Sequence, residues 1–147
     1  NMVQVGFVGS TSTNYGIYMS GSGFTDIYHN SVLVSVGGGA SRAFFGTGGG
    51  ANDLKNNMFV NFTAGYAIYL ASNYTVSASD YNVLHSPGGI MGYYNDANQV
   101  TFANYQTASG QEANSVDIDP MFHSNFDLHV CNDLLKRLRN TVGFCYV

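Results

Sequence analysis

Short apolar runs, each announced by an asparagine, recur along the chain. DIYHNSVLV stands at 26–34, DLKNNMFVN at 53–61 and SDYNVLHS at 79–86. Asn30, Asn57 and Asn82 lie 27 and 25 residues apart, and two positions after each comes a large apolar side chain: Val32, Phe59 and Leu84. A second column keeps the same beat. Tyr15-Gly16-Ile17-Tyr18, Arg42-Ala43-Phe44-Phe45 and Tyr66-Ala67-Ile68-Tyr69 recur at intervals of 27 and 24, each with a small residue before two bulky ones. Between the columns lie GSGFT, GGGASRA and GTGGGAN, glycine and serine clusters that punctuate strands rather than helices.

A period of this length, built from short β segments and turns, predicts a solenoid in which each coil lies on its predecessor at about 4.8 Å. Equivalent asparagines then form one column. Asn30, Asn57 and Asn82 are expected to be a structural ladder, each amide donating to the carbonyl of the next, on a left-handed backbone that Asn tolerates. The apolar residue two places on points the same way and stacks inside. A fourth copy is expected at Asp119, with Pro120 in the asparagine place and Phe122 in the apolar one. The interval from Asn82 to Pro120 is 38, so about a dozen extra residues near 95–112 are read as an inserted loop.

The order of the later motifs carries a resemblance. SDYN at 79–82, FANYQTASGQEANS at 102–115, DIDPMF at 117–122 and FDLHV at 126–130 resemble the closing coils of right-handed parallel β-helix proteins of the pectin-lyase-like superfamily. The resemblance implies an all-β chain: a short right-handed parallel β-helix of about four to five coils over residues 1–130, followed by a tail at 131–147. It also implies an extracellular or cell-surface location, polysaccharide as a partner, and acids on one face that can hold calcium. The tail CNDLLKRLRNTVGFCYV departs from the family. It reads as a short amphipathic helix capped by Asn132 or Asp133, with Leu134, Leu135 and Leu138 on one face and Lys136, Arg137 and Arg139 in the last turn. It could cover the open end of its own solenoid, exchange with a neighbouring molecule, or be an unstructured ending.

Composition agrees with strands and turns, since only 10% of residues are charged, none is Trp, and Gly (18) and Tyr (11) abound. Residues 1–130 carry eight acidic side chains against Arg42 and Lys55, a formal balance of about −6 that disfavours nucleic acid as a partner. No apolar run has the length of a membrane-spanning helix. Cys131 and Cys145 allow one bridge or two thiols and match no metal-ligand spacing.

Candidate chemistry is thin. Asp26, Asp53 and Asp80 recur every 27 residues, but the asparagine register sets Asp80 against Lys55 and leaves only Asp26 beside Asp53. A lyase of this family would need a base near calcium-binding acids, and the body offers Arg42 and Lys55. A hydrolase would need two acids flanking the bond, for which Asp117 and Asp119 alternate suitably. Asp53, Asp80 and Asp117 are the catalytic candidates, with turn and closing roles as the ordinary alternative. His29, His85, His123 and His129 share no ligand spacing, so no metal site is assigned and no cofactor beyond calcium is expected. Tyrosines crowd the second half, and Tyr69, Tyr93 and Tyr94 are the candidates for stacking on a sugar, against the plainer role of covering strands. Asn61-Phe62-Thr63 and Asn73-Tyr74-Thr75 match the N-glycosylation pattern. These features favour a non-catalytic module with a structural, assembly or weak glycan-binding role. The alternative is a polysaccharide lyase or glycoside hydrolase, or a fragment of one. A chain with so few coils is expected to cover its ends by self-association through them or through its tail.

Overall fold

The computed structural model describes residues 1–131, except the side chain of Ser22. The first coil comprises β1 (Met2–Val5), β2 (Tyr15–Ser22) and β3 (Thr25–Tyr28). The second comprises β4 (Ser31–Val34), β5 (Arg42–Gly49) and β6 (Ala51–Lys55), and the third β7 (Met58–Asn61), β8 (Tyr66–Leu70) and β9 (Thr75–Asp80). A fourth opens with β10 (Val83–His85) and β11 (Ile90–Tyr94) and then leaves the pattern. Equivalent strands pair in parallel in the orders β1-β4-β7-β10, β2-β5-β8-β11 and β3-β6-β9. The result is a β-solenoid of about three turns, rather than four to five.

Both sequence columns hold in register. Val32 pairs with Phe59, Phe59 with Leu84, and all three are fully buried. Tyr15, Arg42 and Tyr66 align, as do Ile17, Phe44 and Ile68, and Tyr18, Phe45 and Tyr69. The small residue of each motif earns its place by proximity: a Cβ on Gly16 would meet Val32 Cγ1 at 2.2 Å. Larger side chains there would push the two sheets apart.

The ladder is present and longer than the sequence suggested, because it starts at Asn1. Asn1 Nδ2 donates to Asn30 Oδ1 (2.9 Å), Asn30 Nδ2 to Asn57 Oδ1 (3.0 Å) and Asn57 Nδ2 to Asn82 Oδ1 (3.2 Å). The same acceptors take backbone N–H groups, Asn30 N to Asn57 Oδ1 (3.1 Å) and Asn57 N to Asn82 Oδ1 (2.9 Å). The remaining amide hydrogens reach carbonyls, from Asn57 to Ile27 O (2.7 Å) and from Asn82 to Leu54 O (2.9 Å). The left-handed residue is the one before each asparagine, not the asparagine itself: His29, Asn56 and Tyr81 have φ of 57°, 57° and 58°. That residue turns the corner, and the Asn behind it fastens the corner to its neighbours.

Three expectations about the C-terminal half need correction. The segment near 95–112 is not a plain loop. It contains β12 (Ala97–Gln99), antiparallel to β11, and α1 (Phe102–Ser109). Thr101 and Asn104 form a reciprocal cap at the start of α1, and Gly110, at φ 65°, ends it. Tyr105 of α1 plugs the core above Gly92, where a Cβ would lie 2.4 Å from its ring. The solenoid pattern resumes at Ser115-Val116, not at Asp119: Asn82 N donates to Ser115 Oγ (2.8 Å) and Val83 bridges Val116 in parallel. Asp119 Oδ1 instead accepts from Met121 N (2.8 Å), and Met121, at φ 50°, turns the chain back. DIDPMF and FDLHV are therefore no further coil. They lead into an antiparallel hairpin, β13 (Phe122–Ser124) and β14 (Asp127–Val130).

That hairpin covers the first sheet from outside. Leu128, with Phe122, Val130, Val116 and Ile118, packs on Leu33, Met58, Val60 and Val83. Both faces of β4 and β7 are consequently buried, which is why SVLV and MFVN have no polar alternation. The tail expected to form a capping or exchanged helix lies outside the described residues, as does Cys145.

Two substitutions test this architecture. Asn57→Ala strands several buried donors and acceptors and is expected to cost about 3–5 kcal/mol in denaturant unfolding. Asn1→Ala, at the end of the same ladder, is expected to cost under about 1 kcal/mol. Gly92→Ala forces the Tyr105 ring aside, with an expected loss of about 1–3 kcal/mol in the same assay.

Candidate functional site

The carboxylates nominated by sequence do not converge. Asp26 pairs in register with Asp53, and Lys55 with Asp80, as the asparagine register requires. Asp26 is exposed, while Asp53 Oδ2 receives Lys55 Nζ (2.8 Å) and Tyr28 Oη (3.1 Å). The Lys55 hydrogen bond holds the Asp53 carboxyl below its ordinary range. A calcium ion fits this pair poorly, since Lys55 already holds the inner carboxylate and only one other acid faces it. Among the described residues no group of three His, Cys, Asp or Glu side chains gathers as a ligand set.

Asp80 clasps the segment that closes the solenoid. It accepts from Asn114 N (2.7 Å), Asn114 Nδ2 (2.8 Å) and Tyr81 N (2.9 Å). Burial pushes its carboxyl up, but the hydrogen bonds led by Asn114 outweigh that and leave it lowered. Asp117 Oδ1 sits 2.8 Å from His85 Nδ1, beside the Phe62 ring. His123 and His129 flank Asp127, whose carboxyl is lowered mainly by the His129 backbone N–H. His29 occupies the left-handed corner before Asn30. The two bases a lyase could use are likewise engaged, Lys55 on Asp53 and Arg42 among aromatic rings.

Those rings form the most organised feature of the outer surface. On the exposed face of the β2-β5-β8-β11 sheet, Tyr18, Phe45, Tyr69 and Tyr93 occupy one column over four rungs. Tyr69 and Tyr93 stack in parallel, 4.2 Å between centroids and 2° between planes. One rung earlier, the Arg42 guanidinium lies 3.9 Å from the Tyr69 centroid and 4.6 Å from that of Phe45. Arg42 also donates to Tyr15 Oη (3.0 Å), and Tyr66 Oη donates to Asn98 Oδ1 (3.1 Å). Tyr69 is thus covered on both faces, by Arg42 from one rung and by Tyr93 from the other. Tyr94 does not join them, because its ring turns to the core side and meets Tyr105 at 6.3 Å. Of the three tyrosines proposed for stacking, the fold unites Tyr69 and Tyr93 and separates Tyr94.

Sequence reasoning missed Glu112, where the ladder ends. Glu112 is fully buried, at φ 65°, and its carboxylate accepts from Ser79 Oγ, Ser115 Oγ and Asn82 Nδ2, the last at 3.0 Å. Its backbone is tied as well, N to Ser79 O (2.9 Å) and O from Gln106 Nε2 (2.8 Å). Burial raises its carboxyl, against the opposing hydrogen bonds from Ser115, Ser79 and Asn82. A glutamate in a segment read as loop gave no signal of burial.

The glycosylation patterns separate cleanly. Asn61 is fully buried, donating to Ser41 O and Tyr66 O (both 2.9 Å) and accepting from Thr63, so its amide is committed inside. Asn73 lies on an exposed turn and accepts from Gly48 N (3.0 Å).

No protein-family model matches this chain, and no curated protein or solved structure matches it either.

Glu112 gives the pH prediction. An acid whose folded pKa is raised stabilises the fold below its unfolded value, and that contribution is lost as pH rises through the folded pKa. From about pH 4 upward, wild type is expected to lose stability relative to Glu112→Gln, as followed by urea unfolding at a series of pH values. Asp53 and Asp80, with lowered pKa, act in the opposite sense and lose their contribution as pH falls below the ordinary carboxylate range. The Glu112→Gln difference isolates the one from the other.

Proposed function

We propose that this chain is a non-catalytic β-solenoid module with a structural or assembly role, built on the pectin-lyase-like plan that its closing motifs resemble. One observation carries the reading: the candidate catalytic side chains are engaged by partners within the fold. Asp53 is tied to Lys55, Asp80 to Asn114, Asp117 to His85, and Arg42 to its aromatic neighbours. A catalytic acid or base needs access to a substrate, and each of these already has a partner within the fold.

A second reading, weak glycan contact, draws support from Tyr18, which ends the aromatic column, and from Tyr15 beside it, with 53% and 37% of their surface exposed. They offer apolar faces beside phenol hydroxyls, the chemistry a sugar ring meets well. The rival polysaccharide lyase or hydrolase, acting through Asp53, Asp80 or Asp117, has weaker support because each of these acids is engaged by a different partner, Lys55, Asn114 and His85. An extracellular or cell-surface setting follows only from the family resemblance.

Incubation with pectin, alginate and neutral glycans distinguishes the three. The structural reading expects neither unsaturated uronate nor new reducing ends, and no retention on immobilised glycan. Retention lost in Tyr18→Ala would favour the glycan reading, and product release lost in Asp117→Asn would favour the enzyme.

A further inference from the structure

Two segments of this chain carry the Asn-x-Thr acceptor pattern, and the fold treats them in opposite ways. At Asn61-Phe62-Thr63 every polar side-chain atom is engaged. Asn61 Nδ2 donates both hydrogens, to Ser41 O and Tyr66 O, and Thr63 Oγ1 donates to Asn61 Oδ1 (2.7 Å) while accepting from Gly65 N (3.0 Å). Both residues are buried.

At Asn73-Tyr74-Thr75 the middle residue goes inside and its two neighbours stay out. The chain turns between β8 and β9, with Tyr74 N donating to Ala71 O (2.8 Å). Tyr74 is buried, its ring 6.0 Å from that of Phe44 and seated over Gly46, where a Cβ would approach it to 2.7 Å. Asn73 and Thr75 are both exposed. Asn73 is nonetheless held by the preceding coil, because its Oδ1 accepts from Gly48 N (3.0 Å) and Thr47 Oγ1 (3.2 Å). Among the described residues neither Asn73 Nδ2 nor Thr75 Oγ1 makes a hydrogen bond. Space beside the amide is open: a Cβ on Gly48 would stay 3.7 Å from Asn73 Nδ2, and one on Gly21, a rung earlier, would meet nothing within 4 Å.

We propose that Asn73 is the acceptor of an N-linked glycan in the folded protein and that Asn61 is not. In the transfer, Asn73 Nδ2 attacks the anomeric carbon of an oligosaccharide carried on a lipid pyrophosphate, with an oligosaccharyltransferase acting in trans. The new C–N bond forms as the anomeric C–O bond breaks, the lipid pyrophosphate departs, and one amide hydrogen is lost as a proton. Nothing is oxidised or reduced. Only one Nδ2 hydrogen is replaced and Oδ1 remains an acceptor, so the bonds from Gly48 and Thr47 survive the modification. At Asn61 the same replacement would take a hydrogen from Ser41 O or Tyr66 O and drive a sugar into the core. The proposal is independent of the structural reading above. It requires that the chain pass a glycosylating compartment, which suits the extracellular or cell-surface setting already proposed.

Cell-free synthesis of the full chain behind a cleavable leader, into microsomes from endoplasmic reticulum, is the test, since transfer occurs there whether or not the product is later exported. After detergent release, brief proteolysis removes unfolded chains. The surviving protein is mapped by mass spectrometry before and after peptide N-glycosidase. It is expected to carry one glycan, at Asn73, with Asn61 unmodified. Asn73→Gln and Thr75→Ala are each expected to abolish the mass shift, and Thr75→Ser to keep it, while all three leave Tyr74 in place. Surviving protein with no glycan at Asn73, or with one at Asn61, overturns the proposal. So does a shift that persists in both Asn73→Gln and Thr75→Ala. Modified chains found only in the protease-sensitive fraction would mean that glycan and fold exclude one another, and would overturn it equally.

Discussion

A primary amide taken out of water must place two hydrogens and a carbonyl, and a stacked coil offers partners at only one spacing. That demand governs the rest of this molecule. Asn57 meets it by donating backward to Ile27 O and forward to Asn82, while receiving from Asn30. Shift one coil by a residue and all three bonds fail together, along with the Val32, Phe59 and Leu84 stack set two positions away. Polar and apolar columns thus police the same register. The ladder gives direction and phase, and the apolar column supplies most of the driving force.

Those two columns were legible because each repeats. A period of 24 to 27 residues can be checked against itself, so Asn30, Asn57 and Asn82 corroborate one another, and the opposition of Lys55 and Asp80 followed from them. The left-handed corner was misplaced by one position because Asn is the usual occupant of such a backbone. Here His29, Asn56 and Tyr81 take it, and what they share is a place in the coil rather than a side chain. Everything that occurs once was harder to read. The cap made by α1, the plug of Tyr105 over Gly92 and the hairpin over Leu33 and Val60 depend on contacts between distant segments, and no second copy exists to reveal them.

The same asymmetry explains why the surroundings of the candidate acids could not be read in advance. Acidic residues attract attention when they are few, and Asp53, Asp80 and Asp117 stood out in a chain with little charge. Their hydrogen-bond partners, Lys55, Asn114 and His85, come from two to 34 residues away and carry no mark in sequence. Tyr69 and Tyr93, singled out as candidates for stacking on a sugar, stack on each other across a rung, which covers the faces they turn toward one another. A solenoid spends its side chains on its own repeats, so a residue in such a column begins with a structural assignment that any other role must displace.

The ladder has a polarity, since each side-chain amide in it donates to the side chain of the next rung toward the C-terminus and the Glu112 carboxylate accepts at its end. Duplicating a unit such as residues 31–57 would insert one more donor-and-acceptor amide between existing ones and preserve the relay. The same unit spliced after Glu112 would begin against a carboxylate with nothing to give. Lengthening of this ladder, in the laboratory or by tandem duplication, is therefore confined to the rungs that come before Glu112.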